Sequence, residues 1–241
     1  MTLCVIRSSQ DSFSVFQAGS LLFSLRTWRN PLHAGHLYLE LCPDCGKVEA
    51  ASLFSALRQV AGCPLQIMLD SDDPQIPWLL TGGFQRRCRC LEFSATTAEL
   101  RAPLPSLTAP LLTTRGTAQY QTCCRLLYTH YRQCHQSVNP LTATLEEFQA
   151  VLPEMVCYGT DLSGICHCAF LVLGEDEWEI AYLATTAQPT FPAFAEALLS
   201  FLFRKTRRIT MECDDTDPAA MALETFFCLD RQKTFDTYIL P

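Results

Sequence analysis

No glycine follows Gly174 in this chain of 241 residues. A phosphate loop that relies on glycine for close backbone approach is therefore excluded beyond that point. Neither a Walker loop nor a Gly-x-Ser-x-Gly elbow occurs anywhere, which leaves out P-loop and α/β-hydrolase chemistry. No stretch reaches the roughly 18 apolar residues of a membrane span. The start, MTLCVIRSSQ, lacks the long apolar core of a secretory signal, so a cytoplasmic setting is expected. Positive charge is also short: 18 Lys and Arg stand against 25 Asp and Glu, a net charge of −7. That balance argues against a nonspecific grip on nucleic acid or anionic lipid, and neither partner is expected.

What remains is globular. Hydrophobic residues make up 49% and charged ones 18%, a composition that buries a core. The length allows one large or two modest domains. In a chain without an export signal, the fourteen cysteines are expected to be mostly reduced thiols that behave as small core hydrophobes.

The pattern is clearest near the C-terminal end. Ile209, Met211 and Cys213 alternate with Arg208, Thr210 and Glu212, the signature of a half-buried strand. Asp217 then precedes Pro218 as an N-cap before a first-turn proline. Ala219, Ala222, Leu223 and Phe226 follow at helical spacing, and KTFDTYIL reads as a closing strand. Upstream, EIAYLATT is a strand, and Phe191, Phe194, Ala195, Leu198, Phe201 and Leu202 form a helical stripe. MVCYGT and ICHCAFLVLG are two strands around a turn, and Thr144 to Glu147 has capping-box spacing. Tyr120, Cys123, Cys124, Leu127, Tyr131 and Cys134 mark a longer helix. From residue 117 the expected order is α-α-β-β-β-α-β-α-β.

Residues 94–116, with Pro103, Pro105, Pro110 and Ser/Thr filler, read as a linker. Before it, LQIMLDSDDPQIPWLLTGGFQRRCRCLEF (65–93) parallels residues 208–240 as strand, acid-rich turn with proline, short helix and strand. Two related α/β units are expected: a shortened one at 1–93 and a full one at 117–241.

The order strand, polar turn, helix, strand, with Asp217-Pro218-Ala219-Ala220 at the turn, resembles the C-terminal part of the GNAT N-acyltransferase superfamily. The resemblance covers 117–241 by element order and 36–93 more faintly. It implies an α/β fold on a mixed sheet, with acetyl-CoA as co-substrate and a small-molecule or peptide amine as acceptor. The three aspartates then read as a capped turn, Asp217 capping the helix and Asp214 and Asp215 near the positive end of its dipole. A calcium loop would need a central glycine, which this stretch lacks.

The resemblance also places a site. Pantetheine should run between the strands at 177–186 and 208–213, beside Leu183, Ala184 and Thr185. The diphosphate should meet Gln188, Thr190 and Phe191 at the start of the next helix. The family's glycine loop is missing there, and Pro189 and Pro192 remove two N–H donors. Glu177 or Glu179 takes the place of a base on the fourth strand. Glu224 stands where the family often has a tyrosine acid. These departures keep a second reading open, a GNAT-fold binding or interaction module without chemistry.

CPDCG at 42–46 is the most zinc-like string, with His33 and His36 before it and Cys88 and Cys90 after it. If HLYLEL is extended, His36 and Cys42 stand about 20 Å apart at roughly 3.3 Å per residue and cannot share an ion. No metal is expected, and Cys42 and Cys45 read as a turn with buried thiols. His167, in CHC, reads as structural. The acceptor and the oligomeric state are not legible.

Overall fold

The computed structural model describes residues 3–105, 109–229 and 233–241. Four strands come first: β1 (Leu3–Ser9), β2 (Ser12–Gln17), β3 (Ser20–Asn30) and β4 (His33–Glu40). Helix α1 (Ala50–Ala61), β5 (Leu65–Asp70), α2 (Ile76–Thr81), β6 (Gln85–Ala95) and β7 (Leu111–Thr114) follow. Then come α3 (Ala118–His135), α4 (Leu145–Val151), β8 (Met155–Asp161), β9 (Gly164–Leu173) and β10 (Glu177–Thr185). The chain continues with α5 (Phe191–Leu202), β11 (Arg208–Asp214), α6 (Pro218–Glu224) and β12 (Lys233–Leu240). From residue 117 this is the order expected from the sequence. The stretch read as a linker holds the end of β6, a capped 3-10 turn at Thr97–Glu99 and the short β7.

The chain divides into two compact units. The first comprises Met1–Arg89, Ser137–Ala143 and Phe235–Pro241, and the second Cys90–Gln136 and Thr144–Thr234.

The first unit has strand order β1-β2-β3-β4-β5-β12. β1 to β4 form an antiparallel meander, β4 and β5 are parallel, and β12 returns antiparallel to β5. Alternating residues of the meander, such as Phe13, Val15, Phe23 and Leu25, pack with Leu53, Phe54 and Leu57 of α1. Gly62 ends α1 in the left-handed conformation, its N–H closing on the Arg58 carbonyl. At Gly82 an added Cβ would lie 2.4 Å from the Phe54 ring, so only glycine fits this approach.

The second unit has strand order β6-β11-β10-β9-β8-β7, antiparallel except for the β10–β11 pair. β9 is buried on both faces from Cys166 to Leu171, as its nearly unbroken apolar run requires. Phe170 meets Tyr120 of α3, whereas Ala169 and Leu171 join the core around α5. Helix α5 is apolar almost all round, with Phe191, Phe194, Ala195, Leu198, Leu199, Phe201 and Leu202 buried. The capping box at Thr144 and Glu147 is formed as its spacing predicts.

Candidate functional site

β10 and β11 keep their parallel ladder for only four pairs, ending at Ile180↔Met211. The cause lies on the other edge of β10, where the register with β9 shifts between Ile180 and Tyr182. Such a bulge bends its strand and breaks further pairing. It also redirects side chains. Glu179 and Tyr182 are three residues apart and would point to opposite faces of a regular strand. With the extra residue between them, both stand on the α3 side. Tyr182 meets Tyr131 and Phe148 there, at ring distances of 6.1 and 6.0 Å. Ile180 and Leu183 both enter the opposite core around α5. The strands enclose a cleft of about 280 Å³ lined by Tyr131, His135, Glu179, Tyr182, Leu183, Glu212, Asp214 and Asp217. Its position, at the carboxyl ends of parallel strands, is where open α/β sheets take ligands.

The cleft is acidic. Glu212 lies directly across the β6–β11 ladder from Glu92, a like-charge pair that is unfavourable by itself. Glu212 is exposed as a residue. Even so, loss of hydration around its carboxyl, then the carboxylates of Asp214, Glu92 and Glu179, raise its pKa. Lys233 works weakly the other way. Burial, then Glu179 and Glu212, raise the pKa of Tyr182. His135 stacks on Tyr131 at 4.0 Å, and its Nε2 lies 3.8 Å from Asp214.

At the edge of the cleft, Asp217 caps α6 by accepting from the N–H groups of Ala219 and Ala220 at 2.8 and 3.3 Å. The same oxygen lies 3.0 Å from Nε2 of the buried His130. Burial opposes charge on that imidazole, but Asp217 and then Cys134 prevail and raise its pKa to about 10. Cys134 Sγ lies 3.5 Å from the same nitrogen. Among the described residues, His130, Cys134 and Asp217 are the one group of three or more such side chains close enough to hold a metal.

The loop before α5 is closed on itself around His167. The Ala187 N–H donates to Thr185 Oγ1 at 3.0 Å, and the Thr185 hydroxyl is 2.8 Å from His167 Nδ1. On the other side, His167 Nε2 is 3.0 Å from Thr190 Oγ1, whose hydroxyl donates to the Ala187 carbonyl at 3.1 Å. A neutral His167 with its proton on Nε2 meets all these roles, donating to Thr190 Oγ1 and accepting from the Thr185 hydroxyl. Burial lowers its pKa, in keeping with that form. The N–H groups of Thr186, Thr190 and Phe191 are committed to the carbonyls of Cys166, Ala187 and Gln188. With Pro189 and Pro192 lacking donors, the stretch forms no glycine-loop cradle for a diphosphate.

Of the residues singled out from the sequence, Glu179 and Leu183 line the cleft. Ala184 and Thr185 continue β10 as buried residues, and Thr185 serves the His167 network. Gln188 and Thr190 are exposed on the loop. The Phe191 side chain is wholly within the core, leaving it no free face for a ligand. Glu177 sits at the other end of the ladder, opposite Arg208 and 3.9 Å from its guanidinium. Glu224 ends α6 and is not in the cleft lining. Sequence reasoning missed Glu212, His135 and the His130–Cys134–Asp217 group. The alternation of β11 already put Thr210 and Glu212 on one face. The four-residue steps Tyr131–His135 and His130–Cys134 were also visible on α3, but nothing local said what lies across from them.

No family model and no curated protein matches the sequence. Solved structures do match the fold. A GCN5-related N-acetyltransferase from Sphaerobacter thermophilus aligns with 98% of this chain and 82% of its own, with TM-score 0.55 and 9% identity. A tandem GNAT protein from the clavulanic acid biosynthesis pathway aligns over 99% and 83%, with TM-score 0.51 and 10% identity. A GCN5-related N-acetyltransferase from Kribbella flavida aligns over 95% and 59%, with TM-score 0.51 and 12% identity. This chain thus spans about three fifths of the Kribbella protein's length. It has the GCN5-related N-acetyltransferase fold over nearly all of its residues. Among the described residues no helix is long and apolar enough to cross a membrane.

Proposed function

We propose that the cleft between β10 and β11 is an N-acyltransferase site, passing an acyl group, acetyl in the simplest case, from a coenzyme A thioester to an amine. The observation that carries this reading is the ladder's end at Ile180↔Met211, which opens a ligand-sized gap beside Glu179 and Glu212. A protonated amine fits a cleft lined by Glu179, Glu212 and Asp214, because a cation relieves the repulsion among these carboxylates. Glu212, with its raised pKa, and Glu179 are the groups to take the ammonium proton, since a base is effective when its pKa approaches the working pH. Tyr182 is the hydroxyl nearest in role to a proton donor for a leaving thiolate.

The chain fits the two ends of coenzyme A unequally. The opened edge of β10 at Leu183 and Ala184 suits a pantetheine arm. The loop at Thr185, Gln188, Thr190 and Phe191 has most of its donors committed, so the diphosphate end is weakly held. When bound, the coenzyme supplies an activated acyl carbonyl, and the residues named here position the amine and accept its proton. A cytoplasmic setting is part of the proposal.

Calorimetry with acetyl-CoA, together with a thiol-release assay over a panel of primary amines, tests the reading. Binding weaker than micromolar and amine-dependent thiol release are expected. Absence of heat and of thiol release at millimolar acetyl-CoA overturns it. Binding without turnover for every amine favours the noncatalytic module.

A further inference from the structure

We propose that His130, Cys134 and Asp217 form an open binding site for a divalent transition metal, zinc in the first instance. His130 and Cys134 are four residues apart on α3, so they stand on one face a turn apart. Asp217 approaches them from the turn before α6. The three ligand atoms lie within 4.8 Å of one another.

The distances suit tetrahedral coordination. Zinc binds imidazole nitrogen at about 2.0–2.1 Å, thiolate at about 2.3 Å and carboxylate at about 2.0–2.2 Å, so its N···S and N···O edges are roughly 3.5 and 3.4 Å. Here His130 Nε2 is 3.5 Å from Cys134 Sγ and 3.0 Å from Asp217 Oδ1. These two edges come within a few tenths of an ångström of the tetrahedral values, and the third, from Sγ to the carboxylate, lies within 4.8 Å.

The donor set selects the metal class. One imidazole, one thiol and one carboxylate suit zinc, and also cobalt as its spectroscopic substitute. Magnesium and calcium prefer all-oxygen shells. Asp217 keeps its helix cap when a turn of its carboxylate brings Oδ2, rather than Oδ1, to the ion. The Ala219 and Ala220 N–H groups both use Oδ1, while Oδ2 makes no hydrogen bond among the described residues. His130 is buried, whereas Cys134 and Asp217 are partly exposed, so the site is dry on one side and reachable from the other. Three protein ligands leave a fourth position for water, as in open zinc sites. Asp217 lines the cleft, which puts that position within reach of its contents. By contrast, Cys42 and Cys45, with sulfurs 3.2 Å apart, bring only two ligands together, and no third joins them among the described residues.

In the metal-free protein the trio is a hydrogen-bonded ion pair. Metal uptake replaces the protons on His130 and Cys134, so binding weakens in acid. The site does not depend on the acyltransfer reading, and its test needs no substrate.

The test is a cobalt(II) titration of the full chain, purified without a metal-binding tag and stripped by chelator. The expected result is one cobalt per chain, with visible bands of tetrahedral geometry and a near-ultraviolet thiolate-to-cobalt charge-transfer band, both erased by zinc. Cys134→Ser, at a partly exposed position, should fold normally by circular dichroism, lose the charge-transfer band and bind more than about tenfold more weakly. Cys42→Ser should leave stoichiometry and spectrum unchanged. A wild-type chain with no tetrahedral spectrum at millimolar cobalt overturns the proposal. So does a spectrum that survives Cys134→Ser or disappears in Cys42→Ser.

Discussion

The parallel pair β4–β5 in the first unit and the parallel pair β10–β11 in the second are wired alike, each joined by a twelve-residue helix. The first ladder ends at Tyr38↔Gln66 and the second at Ile180↔Met211, and a cleft opens past each end. Their linings differ. The first cleft, about 310 Å³, is walled by Trp28, Tyr38, Leu39, Ile67 and Leu69, and Trp28 stacks on Tyr38 at 4.0 Å. Tyr38 is further held by Asn139, from the short segment 137–143. In the second, α3 brings Tyr131 and His135 to face Glu179, Glu212 and Asp214. Strand splaying makes a gap in both units, but Glu40 and Asp73 are the acids of a mostly apolar and aromatic first gap, whereas Glu179, Glu212, Asp214 and Asp217 gather with His135 in the second.

The largest effect expected from breaking this contrast is on turnover. Glu212→Gln should lower kcat/KM for thiol release by about a hundredfold or more, as loss of a general base does. Glu40→Gln, in the lining of the first cleft, should stay within about twofold of wild type. An equal loss in both variants would remove the assignment of chemistry to the second cleft.

The scaffolds should respond alike. Phe54→Ala in the first core and Phe191→Ala in the second both remove a fully buried ring. Each should cost about 3–5 kcal/mol in denaturant unfolding. A much smaller cost at one site would mark that core as loosely packed.

Protonation should separate the units by sign. In the first, burial opposes ionisation of Asp236, but Arg89 grips both its oxygens at 2.7 and 2.9 Å and, with Ser71 and Arg86, lowers its pKa. That carboxylate stabilises fully above its unfolded value near about 3.9, and the contribution is lost as pH falls through the folded value. Asp236→Asn should cost about 1.5–3 kcal/mol at pH 7, because Arg86 and Arg89 are left partly in water, and progressively less in acid. Glu212 has a raised pKa, so its charge opposes folding at neutral pH. Glu212→Gln should therefore raise the unfolding midpoint at pH 7, with the gain gone below the unfolded glutamate value of about 4.3. Urea melts of both variants across pH check the two slopes, and slopes of the same sign would refute the contrast.

The smallest effects concern helix starts. Thr144→Ala removes a formed capping box from α4 and should cost about 1 kcal/mol. Helix α1 begins at Glu49 with no side-chain cap, so Glu49→Ser should gain a few tenths of a kcal/mol. Thermal midpoints of the two variants should move in opposite directions.

Legibility follows the range of each interaction. The helix at Tyr120 to Cys134, the capping box at Thr144 and the cap at Asp217 were readable because 3.6-residue spacing and caps are set by neighbours in sequence. The β11 alternation was readable for the same reason, with Ile209, Met211 and Cys213 buried as expected. The candidate site was half legible: Glu179 and Leu183 were named from the sequence and line the cleft, while Glu212 and His135 take their setting from Glu92 and Asp214 respectively, each distant in sequence from the residue it meets.

By itself, the sequence determined the order of elements from residue 117 onward, the capped acidic turn at 214–217 and the want of a glycine loop before α5. Only the tertiary structure decided that KTFDTYIL pairs with Leu65–Asp70, that a bulge puts Glu179 and Tyr182 on one face, and that His167 closes the loop at 185–190. The physical reason is that spacing and capping act within a turn or a strand. Strand partners, register shifts and proton affinities are instead set by groups that meet only when the chain is folded.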